Sequence, residues 1–320
     1  MNTALPFSLG NAKDLGRAIR MVEDSDSAIA TLLHELRMKP RTAYVVGITG
    51  PPGSGKSTLT DQIIAEWRAR DHEVGVLAVD PSSPFSGGAV LGDRIRMQRH
   101  VLDPGVYIRS LAARGHLGGL AAAVRDAIRL LDAAGKERSI VETVGVGQSE
   151  LEVMECADTT VVVVTPVTGD SIQAIKAGIL EIADIFVVNK ADIEGAERVT
   201  RELRELLRQK GAVRDDGWKV PVIQTIASRG EGIVTLTDSL EAHYEHMTAS
   251  GELESRRKRQ RNAEIEAIVV DQALKAVREA LATGSGFSAA VQDQDPNDIA
   301  ESILRHAFTA MGGTEHAGSA

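Results

Sequence analysis

AYVVGITGPPGSGKST, residues 43–58, puts a β-branched apolar run directly before a glycine-rich turn that closes on Gly55-Lys56-Ser57. An apolar run of this length, bounded by a turn, reads as a buried strand. The turn fits G-x-x-x-x-G-K-[ST] in the strand, loop, helix setting that the pattern requires. Backbone N–H groups can wrap a β-phosphate only where no side chain intrudes, hence glycines along the loop. Lys56 is placed to reach β- and γ-oxygens and the Ser57 hydroxyl to ligate Mg²⁺, while the following helix sets the positive end of its dipole behind the phosphates. The candidate nucleotide contacts are Gly50, Pro51, Pro52, Gly53, Ser54, Gly55, Lys56, Ser57 and Thr58.

Outward from this loop the same texture repeats. VGVLAVD, VYIR, SIVET, TTVVVVT, IFVVNK and VPVIQTI are short apolar runs separated by helical patterns, the signature of βαβ units and a mostly parallel sheet covered on both faces. The fold class is α/β. Before it, apolar positions from Ala12 to Met38 (Leu15, Ile19 and Val22, then Ile29, Leu32, Leu33 and Leu36) predict two short helices broken near Asp24 to Ser27 and stopped at Lys39-Pro40. After Glu231 only helical periodicity remains. The expected organisation is an N-terminal helical extension at 1–40, a nucleotide-binding domain at 41–248 and a C-terminal helical extension at 249–320. Within the last, RRKRQR at 256–261 reads first as a solvated helix face and second as a contact for an acidic partner or twin subunit.

The 320 residues carry 36 Lys+Arg against 45 Asp+Glu, a formal charge of −9, with 43% hydrophobic residues. Such a chain can bury a full core, and its acidic balance argues against a dedicated nucleic-acid binder. The one cysteine, Cys156, can form no internal disulfide and no cysteine-rich metal cluster, which fits a reducing compartment. No basic stretch leads into an apolar run, and no window approaches the ~18 apolar residues of a membrane span. A cytoplasmic protein with neither membrane nor nucleic-acid partner is expected.

The base is read further along. Asn189-Lys190-Ala191-Asp192 follows a buried strand and resembles the N-K-x-D guanine-reading loop of GTPases. Guanine presents N1–H and N2–H₂ side by side, two donors that one carboxylate accepts together, and adenine has no such pair on that edge. Asp192 is the specificity residue in this reading, Asn189 ties the loop together and the Lys190 stem covers the ring face. TIASRGEGI offers the Ala227 backbone N–H as a second base contact, with Ile226 where serine is commoner. Three acidic segments are candidates for the metal and the chemistry: Asp80 in AVDPSSP, Asp93 in LGDRIRM and Glu142 in ETVG, with Gly145 placed to sense a γ-phosphate. Val146 follows, where Ras-type enzymes carry a water-orienting glutamine, so slow intrinsic hydrolysis is expected, with Gln148 a lesser candidate for that role.

DPSSPFSGGAVLGDRIRM, RGHLGGL, ETVGVGQSE, GDSIQAIKAG and NKAD, in this order and spacing, resemble the MeaB/MMAA/ArgK family of P-loop GTPases of the SIMIBI class, and DPNDIAESIL resembles that family's terminal helical segment. The resemblance implies a client-stimulated GTPase that loads and protects an adenosylcobalamin-dependent acyl-CoA mutase. It also implies a homodimer built on the C-terminal extension, with GTP/GDP and Mg²⁺ as ligands and adenosylcobalamin belonging to the client. By the same resemblance Asp80, Asp93 and Glu142 surround Mg²⁺ with Ser57, and Asp170 to Lys176 forms a segment coupling nucleotide to client, with Lys176 its residue to test. The alternatives are a related nickel- or zinc-delivery GTPase, which would need Cys/His ligand clusters, and a kinase or transport ATPase of the older ArgK description. One departure is local: relatives commonly read AGFDVIIVETVG where this chain has AGKERSIVETVG, so a short strand with a polar start is expected from Ser139.

Overall fold

A computed structural model describes residues 8–80, 97–112, 119–143, 145, 148–166, 177–209, 213–214, 216–283, 295, 297–298, 300–301 and 303–305. The chain forms two compact units, residues 1–257 and 258–320.

The first unit is built on seven strands: β1 Tyr44–Thr49, β2 Val74–Asp80, β3 Val106–Ala112, β4 Arg138–Thr143, β5 Thr159–Val164, β6 Ile185–Asn189 and β7 Val222–Thr225. Their order is β3-β2-β4-β1-β5-β6-β7, and every described pair is parallel. The chain builds outward from β1 on one side as far as β3 and on the other as far as β7. The carboxyl end of β1 is therefore the point where connections diverge and a crevice opens.

Both faces of the sheet are covered, which is why its strands read as continuous apolar runs. On β1 the period of two splits the strand. Tyr44, Val46 and Ile48 face Leu59, Ile63, Ile64 and Trp67 of α3 (Lys56–Ala69) and Leu236, Leu240 and Met247 of a later helix, Ile233–Ser250. Val45 faces the other core, where α1 (Ala12–Glu23) and α2 (Ala30–Arg37) contribute Leu15, Ile19 and Leu33, and α4 (Gly119–Ala133) contributes Val124, Ile128 and Leu131. The two predicted N-terminal helices are thus packed elements of this unit. A Cβ on Gly47 would meet the Met154 sulfur at 2.6 Å, so glycine lets α5 (Gln148–Met154) lie directly on β1. Beyond the short α6 (Ala177–Ile182), α7 (Ala196–Gln209) closes a third cluster with Val199 and Leu203 against Phe186 and Val188. Two long helices follow β7, α8 (Ile233–Ser250) and α9 (Glu252–Thr283).

Two features differ from the sequence reading. The β4 strand starts at Arg138 rather than Ser139, because the charged groups leading into it find partners. Buried Lys136 donates to Glu73 at 2.6 Å and to the Gly105 carbonyl at 3.1 Å, and Arg138 donates to both oxygens of Glu241 while lying over the Tyr44 ring. The RRKRQR run is not simply a solvated face. Arg256 and Arg257 reach back to two fully buried carboxylates at the feet of β6 and β5: Arg256 donates to both oxygens of Asp184, and Arg257 to both oxygens of Asp158 and to the Arg41 and Ala43 carbonyls. Burial alone would raise the Asp158 carboxyl, but Arg41 and then Arg257 hold it below the usual carboxylate range. Asp184 is likewise held low by Arg256 and then Arg214 against its own burial.

Next to Asp184 lies His243, fully buried, with its ring 4.6 Å from that of Trp218. Its Nδ1 lies 2.7 Å from the Thr159 hydroxyl and its Nε2 3.6 Å from Asp184. Burial pushes this imidazole down to about 4, with Asp184 only partly opposing the shift.

Candidate nucleotide site

The carboxyl ends of β1, β4, β6 and β7 meet at one edge of the sheet, and the candidate residues come from those ends. The loop after β1 is preformed. Gly50, Gly53 and Gly55 have φ of +153°, +76° and +89°. A Cβ on Gly50 would stand 2.2 Å from the Val163 carbonyl oxygen, and one on Gly55 would stand 2.4 Å from Asn189 Nδ2. The ammonium of Lys56 donates to the carbonyls of Gly50 (2.7 Å) and Pro51 (3.0 Å), which holds the charge against the glycine-rich loop. The Ser54 hydroxyl is buried with no hydrogen-bond partner, a donor held inside the same loop. Pro51, Pro52 and Thr58 complete the loop at partly or fully exposed positions.

Glu142 is brought to α3 by register, since it pairs with Ile48 on one side and Ala78 on the other. Its buried carboxylate accepts from Ser57 at 2.6 Å and from Thr60 at 2.7 Å. A hydroxyl that donates its hydrogen to a carboxylate keeps its lone pairs for a cation, so Ser57 beside Glu142 suits a hard, oxygen-seeking ion. The turn that follows is tied to β1: the Thr143 hydroxyl donates to that of Thr49 (3.0 Å), which donates to the Gly145 carbonyl (2.9 Å).

The loop after β6 is joined to the loop after β1 by one side chain. Asn189 donates from Nδ2 to the Ser54 carbonyl at 2.9 Å, and its Oδ1 accepts from the Thr225 hydroxyl and the Ala227 N–H, each at 3.1 Å. Asn189 thus holds three loops together. The Ala227 N–H assigned above to the base is engaged by Asn189 here. Lys190, in the left-handed region at φ +58°, donates to the Gly53 carbonyl at 2.9 Å, so its stem crosses from one loop to the other. Asp192 is exposed and forms an ion pair with Arg229 at 3.3 Å.

The structure therefore brings together the loop 50–58, Glu142, Gly145, Asn189, Lys190, Asp192 and Ala227. Asp80 ends β2, but its side chain lies outside the described residues, as does that of Gln148 at the start of α5. Asp93, Val146 and the segment from Asp170 to Lys176 also lie outside them. The sequence reading missed the hydroxyls of Thr49, Thr60, Thr143 and Thr225. It also missed the tie formed by Arg99 and His100 to Asp61 of α3, with Arg99 Nη2 2.7 Å and His100 Nε2 3.1 Å from its carboxylate. For Thr60 a signal existed: three residues after Ser57 on one helix, it shares that residue's face.

Comparisons with known proteins agree with this geometry. Residues 15–282 match the model of the family described as methylmalonyl Co-A mutase-associated GTPase MeaB. A Pyrococcus abyssi protein named as a GTPase is 46% identical over 302 residues, covering 92% of this chain and 93% of its own. The mitochondrial methylmalonic aciduria type A homolog of Mus musculus is 41% identical over 228 residues, covering 69% of this chain and 54% of its own. A solved LAO/AO transport system kinase superposes with a TM-score of 0.68 at 23% identity, covering 95% of this chain and 94% of its own, which shows the shared fold. With a P-loop, an N-K-x-D loop and an all-parallel sheet in place, the chain belongs to the MeaB family of P-loop GTPases.

Proposed function

We propose that this GTPase is a chaperone that loads and protects an adenosylcobalamin-dependent acyl-CoA mutase. The observation that carries this reading is the match of residues 15–282 to a family described by its association with methylmalonyl Co-A mutase, on a site whose phosphate and base loops are joined through Asn189. GTP binds with its phosphates on the loop 50–58 and its guanine on Asp192, which exchanges Arg229 for the two base donors. Lys56 swings from the Gly50 and Pro51 carbonyls to the β- and γ-oxygens. Mg²⁺, when bound, neutralises phosphate charge. Ser57 would hold it, backed by Glu142, with Asp80 and Asp93 as further carboxylates of the set. Intrinsic hydrolysis is slow because valine follows Gly145, and contact with the mutase supplies the missing geometry. Loss of the γ-phosphate then relaxes the turn at Gly145 and the segment that includes Lys176.

The dimer is assigned to the C-terminal extension. On α9, Ile265, Ile268 and Val269 recur at helical spacing, and with Val270, Leu274 and Leu281 they are 40–55% exposed. A twin subunit packed on this face would cover these exposed apolar groups, which supports the reading.

The test is steady-state GTP hydrolysis by the purified protein, alone and titrated with apo acyl-CoA mutases, with ATP as control. Acceleration by one mutase of at least ~10-fold, a barrier change of about 1.4 kcal/mol, identifies the client. GTP turnover indifferent to methylmalonyl-, isobutyryl-, 2-hydroxyisobutyryl- and ethylmalonyl-CoA mutases alike refutes the chaperone reading.

A further inference from the structure

Glu142 is a buried carboxylate with two oxygens, and each accepts from a different hydroxyl of the same helix face. One donor, Ser57, belongs to the phosphate-binding motif. The other, Thr60, is fully buried one turn further along α3 and belongs to no motif. Both contacts have the short O···O separation of charge-assisted hydrogen bonds, 2.6 and 2.7 Å.

A carboxylate held through one oxygen alone can rotate. If Glu142 turned, Ser57 would lose this acceptor and its hydroxyl hydrogen could point toward the cation site, where a lone pair is needed. Two anchored oxygens fix the plane of the carboxylate, and with it the direction of the Ser57 hydrogen. We propose that Thr60 is the positioning residue for the magnesium edge of this site, locking Glu142 so that the Ser57 oxygen presents its lone pairs to the ion. Thr60 itself touches neither nucleotide nor metal, and Glu142 acts on the ion through Ser57. This inference rests on the GTP–Mg²⁺ reading above.

The experiment measures equilibrium binding of a fluorescent GDP analogue to the full chain in excess Mg²⁺ and in EDTA, the ratio of the two affinities being the magnesium coupling. Thr60→Val keeps the shape and removes the hydroxyl. It is expected to lower affinity in Mg²⁺ about tenfold, the loss of one hydrogen bond to a charged group. Affinity in EDTA should change less than about twofold, and Thr60→Ser should restore the coupling. A packing role alone would weaken binding equally in both buffers, and that result overturns the proposal. So does a Thr60→Val variant with unchanged coupling, or a Thr60→Ser variant that fails to rescue. If Thr60→Val does not fold, Thr60→Ser and Thr60→Ala carry the comparison on the same terms. A wild-type protein with no magnesium coupling at all would instead overturn the GTP–Mg²⁺ reading beneath it.

Discussion

Lowering the pH from about 7.5 to about 4.5 should cost this protein a defined amount of stability through one side chain, His243. Its imidazole lies among Thr159 and Tyr44 of the sheet, Asp184 at the foot of β6, the Trp218 ring, Arg214, Asp216 and Arg256. Burial lowers its pKa from 6.5 to about 4. Between those values the unfolded chain binds a proton that the folded chain refuses, so stability is complete above 6.5 and falls as pH drops toward 4. The linkage integral over this window comes to about 2.5 kcal/mol. Asp184 stays ionised throughout, because Arg256 and Arg214 hold it below the usual carboxylate range against its burial. The assay is urea unfolding at half-unit pH steps for the wild type and for His243→Asn, whose amide can still hydrogen-bond with Thr159. The variant loses ring packing against Trp218 and should be less stable at neutral pH, but its stability should decline less between 6.5 and 4.5 by about 2 kcal/mol. Parallel pH profiles for the two proteins would refute the assignment of a neutral, proton-refusing imidazole to this position.

Other outcomes follow from the same geometry. Arg257→Ala strips Asp158 of a two-pronged partner and should destabilise by about 3–5 kcal/mol, whereas exposed Lys258→Ala next to it should stay within about 0.5 kcal/mol, both read by urea midpoints. Asp192→Asn should cost roughly 100-fold in GDP affinity, two charge-assisted hydrogen bonds. It should also shift preference to xanthine nucleotides, whose C2 carbonyl matches an amide donor, as competition binding would show. Gly55→Ala forces a Cβ to 2.4 Å from Asn189 Nδ2 in a left-handed backbone, so calorimetry should find GDP binding lost while the melting temperature falls by only a few degrees.

Much of the fold was legible because parallel strands buried on both faces leave unmistakable β-branched runs, and all seven emerged from such runs. The tie that Asn189 makes was legible as well, from its place at the end of a buried strand. The roles of Arg256 and Arg257 were not. Their partners, Asp184 and Asp158, stand 72 and 99 residues away as single acids before apolar strands, and nothing local distinguishes such an acid from a turn residue. The polar start of β4 misled for a related reason: Lys136, Glu137 and Arg138 look like a loop until Glu73, His72 and Glu241 are brought opposite them. Thr60 escaped because its place on the Ser57 face of α3 was legible while the carboxylate that a neighbouring strand delivers to that face was not.

The hydrogen bond from the Ala227 amide to Asn189 makes that single proton a reporter. Its acceptor is the same side chain that grips the Ser54 carbonyl, so any rearrangement of the loop after β1 that loosens Asn189 also unprotects an amide three strands away in the sheet order. Followed by nuclear magnetic resonance with no label on the nucleotide, the exchange rate of the Ala227 proton would register filling and emptying of the phosphate cradle from the base side of the site.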